Sequence, residues 1–367
     1  MEFREGAVEN LDVNPRFWEG KKVLLTGHTG FKGGWLALWL QALGARVTGY
    51  ALTPPTDPSF FDTARVAGGM TSHIGDVRDL AALTAAVRQA DPAIIIHMAA
   101  QSLVRPSYAD PVATYSTNVM GTVNMLEAAR AQSTVRAIVI VTSDKCYENA
   151  GAQREFREND RLGGHDPYSN SKACAELVAG AYRDSFFTGG QAAAALATAR
   201  AGNVIGGGDW SADRLIPDAV RAFGAGRPVQ LRYPRATRPW QHVLDPLAGY
   251  LALAEKLFAA PAGYAEPWNF GPAPDQVMTV ANVVDAVAKK WGGGARWEPA
   301  PGAHPHEAQF LGMDAGKAQA RLAWQPRLDI MQAIDWTVEW YRAWCDGADL
   351  KQLSEAQLDR YRSLAAA

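Results

Sequence analysis

Cysteine, long apolar runs and a surplus of either charge are all scarce in this chain of 367 residues. The three cysteines are Cys146, Cys174 and Cys345, which are too few and too far apart for a disulfide framework or a CxxC metal site. We therefore expect no metal and a reducing cytoplasm. Lysine and arginine number 36 against 38 acidic residues, which disfavours a nucleic-acid partner. No apolar run reaches the ~18 residues that a membrane span needs, and residues 1–20 lack the apolar core of a signal peptide.

The order of the apolar segments predicts an α/β fold. Short continuous apolar runs alternate with longer amphipathic ones in the first half, which is typical of βαβ units around a parallel sheet. The predicted strands are 23–25, 46–52, 71–74, 93–96, 137–141 and 193–199. The predicted helices are 31–43, 79–88, 111–130, 168–187, 218–223, 247–258, 280–291, 315–322 and 330–344.

A glycine loop at residues 26–33 follows the first predicted strand and opens the first helix. Gly27 would make the tight turn, Gly30 would let a pyrophosphate approach the backbone, and Gly33 would let helix and strand pack closely. The helix N-terminus favours an anion there. Strand, loop and helix in this order predict a dinucleotide-binding site.

The sequence leaves the choice between NAD and NADP open. Residues 49–53, where an acid usually meets the ribose, contain neither an acid nor an arginine, and the nearest acid is Asp57. Lys32 would either help to hold phosphate or be solvated. Asp76 would either bond the adenine amine or cap the end of the third strand.

Tyr168 and Lys172 stand four residues apart, a spacing that places both on one face of a helix. A cation beside a phenol lowers the pKa of the phenol and lets it act as a base near neutral pH. The pair follows a glycine-loop domain and the strand-end residues Thr142 and Ser143, so we predict a catalytic role for it.

With these features the sequence resembles the extended short-chain dehydrogenases/reductases, and within them the nucleotide-sugar 4,6-dehydratases, over about residues 21–344. The segments that carry the resemblance are 26–33, 96–101, 117–122, 142–147, 168–172, 200–206 and 238–243. Asp144 and Lys145 stand where many dehydratases of other nucleotide sugars have Asp-Glu. Together with Cys146 and Tyr147, they resemble the branch of the family that acts on CDP-glucose.

The resemblance implies a Rossmann-type doubly wound parallel sheet with a smaller, mainly C-terminal α/β substrate-binding lobe. Residues 1–20 would be an N-terminal extension. Residues 21–202 would form the dinucleotide-binding domain, to which the chain returns near 236–250, and residues 203–367 would mostly form the nucleotide-sugar-binding lobe. The implied cofactor is NAD, and the implied assembly is a homodimer or homotetramer that pairs through the Tyr168 helix and the helix before it.

The implied reaction is an intramolecular redox dehydration of CDP-glucose to CDP-4-dehydro-6-deoxyglucose, for deoxysugars of cell-surface polysaccharide such as O-antigen. Tyr168 would take the O4 proton while C4 is oxidised, Lys172 would lower the pKa of Tyr168 and hold the nicotinamide ribose, and Ser143 would orient the sugar. Asp144 would protonate the departing C6 hydroxyl and Lys145 would take the C5 proton before hydride returns to C6. Adjacent residues in an extended backbone project in different directions, which suits this pair.

The implied binding residues fall into two sets. Asn118, which belongs to the set for the cofactor, would also fit as a buried structural amide. The cofactor set is Gly27, Thr29, Gly30, Phe31, Lys32, Gly33, Asp76, Val77, Ala99, Ala100, Gln101, Asn118, Tyr168 and Lys172. The substrate set is Gln101, Ser143, Asn203, Arg214, Leu215 and Arg238.

Three other interpretations stay open from the sequence. A nucleotide-sugar 4-epimerase would keep Tyr168 and Lys172 but would need no acid and base at Asp144 and Lys145, which would then form an ordinary ion pair. A dehydratase of another nucleotide-glucose is the second. A non-catalytic binding protein is the third, and the joint presence of Ser143, Tyr168 and Lys172 argues against it.

Overall fold

Seven parallel strands form one sheet at the centre of the computed structural model, which describes residues 13–151, 154–187, 194–302 and 310–364. The strands are β1 Lys22–Thr26, β2 Arg46–Ala51, β3 Thr71–Ile74, β4 Ile94–His97, β5 Ala137–Val141, β6 Ala195–Ala201 and β7 Pro267–Phe270. Their spatial order is β7-β6-β5-β4-β1-β2-β3. The chain thus winds outward from β1 on both sides, which confirms the predicted doubly wound Rossmann arrangement. Residues 1–12 of the expected N-terminal extension lie outside the described ranges.

Both faces of the sheet are covered, which explains why the central strands are continuously apolar. In β4, Ile94 and Ile96 pack into one core and Ile95 packs into another. The helices Phe31–Ala42 and Leu244–Ala259 contribute to the first core. The helices Leu80–Ala90 and Gly121–Arg130 contribute to the second.

Helices connect the strands and build most of the second lobe. The α-helices are Pro15–Trp18, Phe31–Ala42, Phe60–Thr63, Leu80–Ala90, Val104–Ala109, Pro111–Tyr115, Gly121–Arg130, Pro167–Tyr182, Leu215–Gly224, Leu244–Ala259, Pro261–Tyr264, Val280–Trp291, Gly316–Leu322, Ile330–Cys345 and Leu350–Ser363. Shorter 3₁₀ segments span Val66–Gly69, Asp144–Cys146 and Pro274–Gln276, and π-helical turns span Ser116–Met120 and Arg183–Phe187. Within the described ranges, no helix has both the length and the apolarity to cross a membrane.

The smaller lobe is built from helices and three pairs of short strands. Val204–Ile205 pairs with Gln241–His242, Val229–Leu231 with Trp297–Pro299, and Thr237–Arg238 with Met278–Thr279. The chain returns to the main sheet through the helix Leu244–Ala259 and then adds β7 beside β6. The part of the chain that returns to the main sheet therefore extends to Phe270, beyond the expected 236–250.

The C-terminal helix Leu350–Ser363 was not among the predicted elements. Its apolar residues are sparse, because only a narrow face is buried, with Leu358 and Tyr361 each 1% exposed. Asp349 caps its first turn by accepting hydrogen bonds from the N–H groups of Lys351 and Gln352. Tyr361 packs edge-to-face on Trp39, which joins this last helix to the first helix of the glycine-loop domain.

Candidate active site

The glycine loop has the backbone geometry of a dinucleotide cradle. Gly27 has φ +77°, and a Cβ there would lie 2.8 Å from the Ala99 nitrogen. A Cβ on Gly33 would lie 2.1 Å from the Gly27 carbonyl oxygen. Among the described residues, a Cβ on Gly30 would meet only that oxygen, at 3.5 Å, so none of their atoms requires a glycine there. The loop thus leaves room beside Gly30, where a ligand could approach the backbone.

The helix Phe31–Ala42 begins at this loop with its N-terminal donors available. Gly30 is the N-cap and supplies no side-chain acceptor, and the first turn contains no acid. Uncapped N–H groups and the helix dipole favour a bound anion. A dinucleotide pyrophosphate fits this arrangement.

Threonine hydroxyls fix the loop against neighbouring strands. The Thr26 hydroxyl accepts hydrogen bonds of 3.1 Å from the N–H groups of Met98 and Ala99. The Thr29 hydroxyl donates to the Leu52 carbonyl at 2.9 Å. Ala99 and the adjoining Ala100 therefore lie at the same sheet edge as Thr29 and the glycine loop.

Lys32 is turned inward. Its Nζ donates to the Tyr250 hydroxyl at 2.7 Å and lies 4.8 Å from the centroid of the Tyr250 ring. Burial, followed by the charges of Lys172 and Arg214, lowers the pKa of Lys32 to about 7. The interpretation of Lys32 as a solvated lysine is therefore wrong.

Asp76 and Val77 lie after β3. Asp76 accepts three side-chain hydrogen bonds from Arg78, at 2.6–3.0 Å, and these bonds lower the pKa of Asp76. Val77 is buried, and a Cβ on Gly121 would lie 2.8 Å from its Cγ2. The contact of Asp76 with adenine stays a prediction.

The turn after β5 carries the three residues expected to act on the sugar. Ser143 caps the 3₁₀ segment Asp144–Cys146 and accepts a hydrogen bond of 3.2 Å from the Lys145 N–H. The Ser143 hydroxyl donates to Asp144 Oδ1 at 2.9 Å. The expectation of an extended backbone at Asp144 and Lys145 is wrong, because the Ser143 cap tightens the chain. Successive 3₁₀ residues project about 120° apart, so the two side chains still diverge.

Asp144 and Lys145 are close without a hydrogen bond. Lys145 Nζ lies 3.7 Å from Asp144 Oδ1. The side chain of Asp144 is 2% exposed and that of Lys145 is 29% exposed. Asp144 Oδ2 is buried and has no hydrogen-bond partner among the described residues. This orphaned oxygen is available to a substrate hydroxyl.

Tyr168 and Lys172 lie on the helix Pro167–Tyr182, both buried. Burial raises the pKa of the Tyr168 phenol to about 12, although a hydrogen bond with Ser143 and the charge of Arg214 both act to lower it. Lys172 Nζ donates to the Val141 carbonyl at 3.1 Å, and burial lowers the pKa of Lys172 to about 8. Burial therefore dominates the pKa of Tyr168 in this structure, and the lowering of that pKa by Lys172 stays a prediction.

Asn118 and Gln101 order the loop after β4. Asn118 accepts from the Gln101 N–H at 2.8 Å and donates to the Gln101 carbonyl and to Ser171, as a buried structural amide does. The Gln101 side chain bonds the backbone of Leu103 and the hydroxyl of Thr114. The contacts of both side chains with cofactor or sugar stay predictions.

The predicted substrate residues lie at the start of the second lobe. Arg214 donates to Asp209 at 2.9 Å and to Ser102 at 3.1 Å, and Leu215 begins the next helix. Asn203 Oδ1 is buried without a hydrogen-bond partner in the described part of the chain. Arg238 is buried on a short strand and donates to the Thr237 carbonyl at 2.8 Å. The charge of Arg214 acts on both Lys32 and Tyr168, so this residue joins the two lobes at the site.

Comparison with known proteins separates this chain from other Rossmann-type proteins. The family model described as GDP-mannose 4,6 dehydratase matches residues 24–337. The chain belongs to this dehydratase family.

Relatives and solved structures agree with that membership. A CDP-glucose 4,6-dehydratase of Salmonella typhimurium is 49% identical over 96% of this chain and 99% of its own length. A dTDP-glucose 4,6-dehydratase of Xanthomonas campestris is 26% identical over 88% of this chain and 95% of its own length. A Thermus thermophilus UDP-glucose 4-epimerase in complex with NAD superposes with a TM-score of 0.75 at 25% identity, covering 87% of this chain and 98% of the other.

Two residues of this dehydratase-family site were missed in the sequence. Tyr250 is fully buried, bonds Lys32, and has its pKa raised by burial and by the charges of Asp144 and Tyr168. Asp209 holds Arg214. The sequence offered one signal for them, which was their position. Tyr250 follows the 238–243 segment and Asp209 follows the 200–206 segment, both of which carry the resemblance. No group of three or more potential metal ligands occurs in the part of the chain that the structure describes.

Proposed function

We propose that this chain is an NAD-dependent CDP-glucose 4,6-dehydratase that forms CDP-4-dehydro-6-deoxyglucose. The observation that carries the proposal is the capped turn of Ser143, Asp144 and Lys145, of which Ser143 and Asp144 interact with the buried Tyr168. An epimerase needs no acid and base on this turn. The 49% identity with the Salmonella enzyme supports CDP-glucose as the substrate.

NAD would be held by the glycine loop, with its pyrophosphate against the first turn of the helix Phe31–Ala42. A cofactor held there would supply the hydride acceptor for C4 and the hydride donor for C6, which keeps the reaction redox-neutral. Lys172 would hold the nicotinamide ribose, a role supported by its burial on the same helix as Tyr168. The strand end that carries Ala99 and Ala100 borders the same space.

Tyr168 is the base for the O4 proton. Since its buried phenol resists ionisation, the site must favour the phenolate through charge and hydrogen bonding. Arg214 and the hydrogen bond with Ser143 act in that direction, and Lys172 adds a cation on the same helix face. Ser143 also orients the reacting oxygen.

Asp144 and Lys145 complete the elimination. Oxidation at C4 acidifies the C5 proton, which a neutral Lys145 removes. Asp144, in its protonated form, donates a proton to the C6 hydroxyl, which leaves as water. The support for these roles is that the buried Asp144 and the partly exposed Lys145 lie 3.7 Å apart on one turn.

The nucleotide would lie along the second lobe. Arg214 and Arg238 suit a diphosphate because each guanidinium donates two parallel hydrogen bonds. Asn203 brings an amide oxygen that no described residue bonds. Leu215 starts a helix whose N-cap, Arg214, gives no side-chain cap, so this second helix end also favours an anion.

The proposal includes a homodimer or homotetramer in a reducing cytoplasm, where it would supply deoxysugars for cell-surface polysaccharide such as O-antigen. Support for assembly comes from exposed apolar side chains near the Tyr168 helix, namely Val112, Met120 and Leu177, which are 77%, 50% and 61% exposed. Leu177→Glu should lower the mass measured by light scattering, and Met331→Glu, on an exposed lobe position, should not.

The function is tested by incubating the purified chain and NAD with CDP-, dTDP-, UDP- and GDP-glucose. We expect a 4-dehydro-6-deoxy product from CDP-glucose, identified by mass spectrometry and NMR, with no net NADH. Comparable turnover of dTDP- or UDP-glucose would overturn the substrate assignment. A C4 epimer as the product would favour the epimerase instead.

A further inference from the structure

A buried ion pair lies behind the turn that carries Asp144 and Lys145. Arg200 Nη2 is 2.7 Å from Glu176 Oε2, and both side chains are 1% exposed. Burial raises the pKa of Glu176, but Arg200 and two hydroxyl donors outweigh burial and hold the pKa below its ordinary value. Two buried charges are costly unless further hydrogen bonds satisfy them, and the mechanism above gives neither residue a role.

Glu176 is bonded to the residue that precedes the turn. One carboxylate oxygen accepts a hydrogen bond from the Thr142 hydroxyl. The other accepts from Arg200 and, at 2.7 Å, from the Thr198 hydroxyl. Thr142 adjoins Ser143, the cap of the turn, whereas Thr198 lies on β6 away from it.

Arg200 is bonded to the residue that follows the turn. Its Nη1 donates to the Tyr147 hydroxyl at 2.8 Å and to the Glu158 carbonyl at 3.0 Å. The Tyr147 hydroxyl donates in turn to Asn269 on β7 at 2.6 Å. The ion pair therefore holds the chain on both sides of the segment Asp144–Cys146.

We propose that Glu176 and Arg200 are positioning residues for the elimination step, acting through Thr142 and Tyr147 to fix Asp144 and Lys145. The catalytic part of this inference rests on the proposed function, whereas the structural part does not. Tyr168 lies on the helix that also carries Glu176, but it stands in the first turn, which Asp166 caps. The oxidation at C4 should therefore depend on the pair less than the elimination does.

Cys146 provides a test that needs no substrate. It lies inside the turn, fully buried and free, while Cys174 and Cys345 serve as references in the same molecule. Labelling with N-ethylmaleimide, followed by mass spectrometry, measures how often the turn opens. Thr142→Val and Tyr147→Phe each remove one hydroxyl of the clamp and should speed Cys146 labelling at least about fivefold, the effect of one lost hydrogen bond.

Two further variants are the controls. Thr198→Val removes a hydroxyl from the same carboxylate without touching the turn, and Thr142→Ser keeps the hydroxyl. Both should label Cys146 within about twofold of the unaltered protein, since each retains the clamp. Unchanged labelling in Thr142→Val, or equal acceleration in Thr198→Val, would overturn the clamp.

Single-turnover assays with CDP-glucose and NAD test the catalytic part. In Thr142→Val and Tyr147→Phe, elimination should slow at least about tenfold, as expected for a misplaced acid and base, while oxidation at C4, to which the same turn contributes only Ser143, should slow clearly less. A parallel loss of both steps would show a purely structural role and overturn the proposal. If the unaltered protein leaves CDP-glucose unchanged, the proposed function fails, and Cys146 labelling alone decides for or against the clamp.

Discussion

Lys32 donates a hydrogen bond of 2.7 Å to Tyr250, and this contact joins the glycine loop to the helix Leu244–Ala259. The two residues come from segments more than 200 positions apart in the chain. Because the pKa of Lys32 is about 7, its charge changes near neutral pH, within the electrostatic reach of Lys172 and Arg214. A change in the charge of Lys32 therefore alters the electrostatic potential both at the glycine loop and at the candidate catalytic centre.

Tyr250→Phe should lower the free energy of unfolding by about 1–3 kcal/mol, because the part-buried amine of Lys32 loses its hydrogen-bond partner. Urea unfolding monitored by circular dichroism measures the change. Tyr264→Phe is a matched control, since that partly exposed hydroxyl makes only a long contact of 3.4 Å. Equal stability losses in the two variants would show that Lys32 finds another partner.

Lys145→Ala should still oxidise C4 but should eliminate water about 10²–10⁴-fold more slowly, as is typical of a lost general base. Stopped-flow absorbance should then show enzyme-bound NADH building up after mixing with CDP-glucose, and solvent deuterium should enter C5 slowly. Tyr168→Phe should block NADH formation altogether. Normal elimination in Lys145→Ala would reduce Lys145 to a charge partner of Asp144, 3.7 Å away.

Gly30→Ala and Gly33→Ala should fail in different ways. A Cβ on Gly33 would lie 2.1 Å from the Gly27 carbonyl oxygen, so Gly33→Ala should lower the melting temperature. A Cβ on Gly30 finds only a contact of 3.5 Å, so Gly30→Ala should melt normally yet bind NAD at least about tenfold more weakly. Calorimetry of melting and of NAD binding distinguishes the two. Normal NAD affinity in Gly30→Ala would place the pyrophosphate elsewhere.

Asp245 should make the protein less stable as pH rises. Burial raises its pKa from 3.8 to about 7, so between these values the folded protein keeps a proton that the unfolded chain releases. This contribution to the free energy of unfolding is fully present below the unfolded pKa and is lost as pH rises through about 7, by at most about 1.4 kcal/mol per pH unit.

Asp245→Asn should flatten this pH dependence, because its Oδ1 can still accept from the Arg327 N–H and the Tyr361 hydroxyl. Urea unfolding at several pH values measures the slope. Glu255→Gln should remove a further part of the pH dependence of the free energy of unfolding, since burial also raises the pKa of Glu255 to about 7. A slope that Asp245→Asn leaves intact would assign the titration to other groups.

Elements with a local signal were predictable from the sequence. Strand β5 matches residues 137–141 because every side chain in it is buried and apolar or small. The helix Val280–Trp291 matches because Thr279 caps its start and Gly292, at φ +79°, ends it. The predicted helix 111–130 is instead interrupted by the π-helical turn Ser116–Met120, since a periodic pattern does not reveal one extra residue in a turn.

The grouping of the candidate site residues was more predictable than their energetics. Motifs located Ser143, Tyr168 and Lys172, but the raised pKa of Tyr168 arises from burial by distant segments. The capped 3₁₀ turn at Asp144 depends on one side-chain hydrogen bond. Tyr250 comes from the returning helix, and no pattern near the glycine loop pointed to it.

Strand β7 also fixes when this molecule can become active during its synthesis. The ribosome completes β6 at Ala201, but its partner begins only at Pro267. Until then the nascent sheet presents an unpaired edge. Asn269, which accepts the hydrogen bond of Tyr147 behind the catalytic turn, is also still missing. Because the helix Leu244–Ala259, which covers one face of the sheet, ends only shortly before β7, we expect the nascent chain to complete its dinucleotide fold and its turn together, once Pro267–Phe270 has been made.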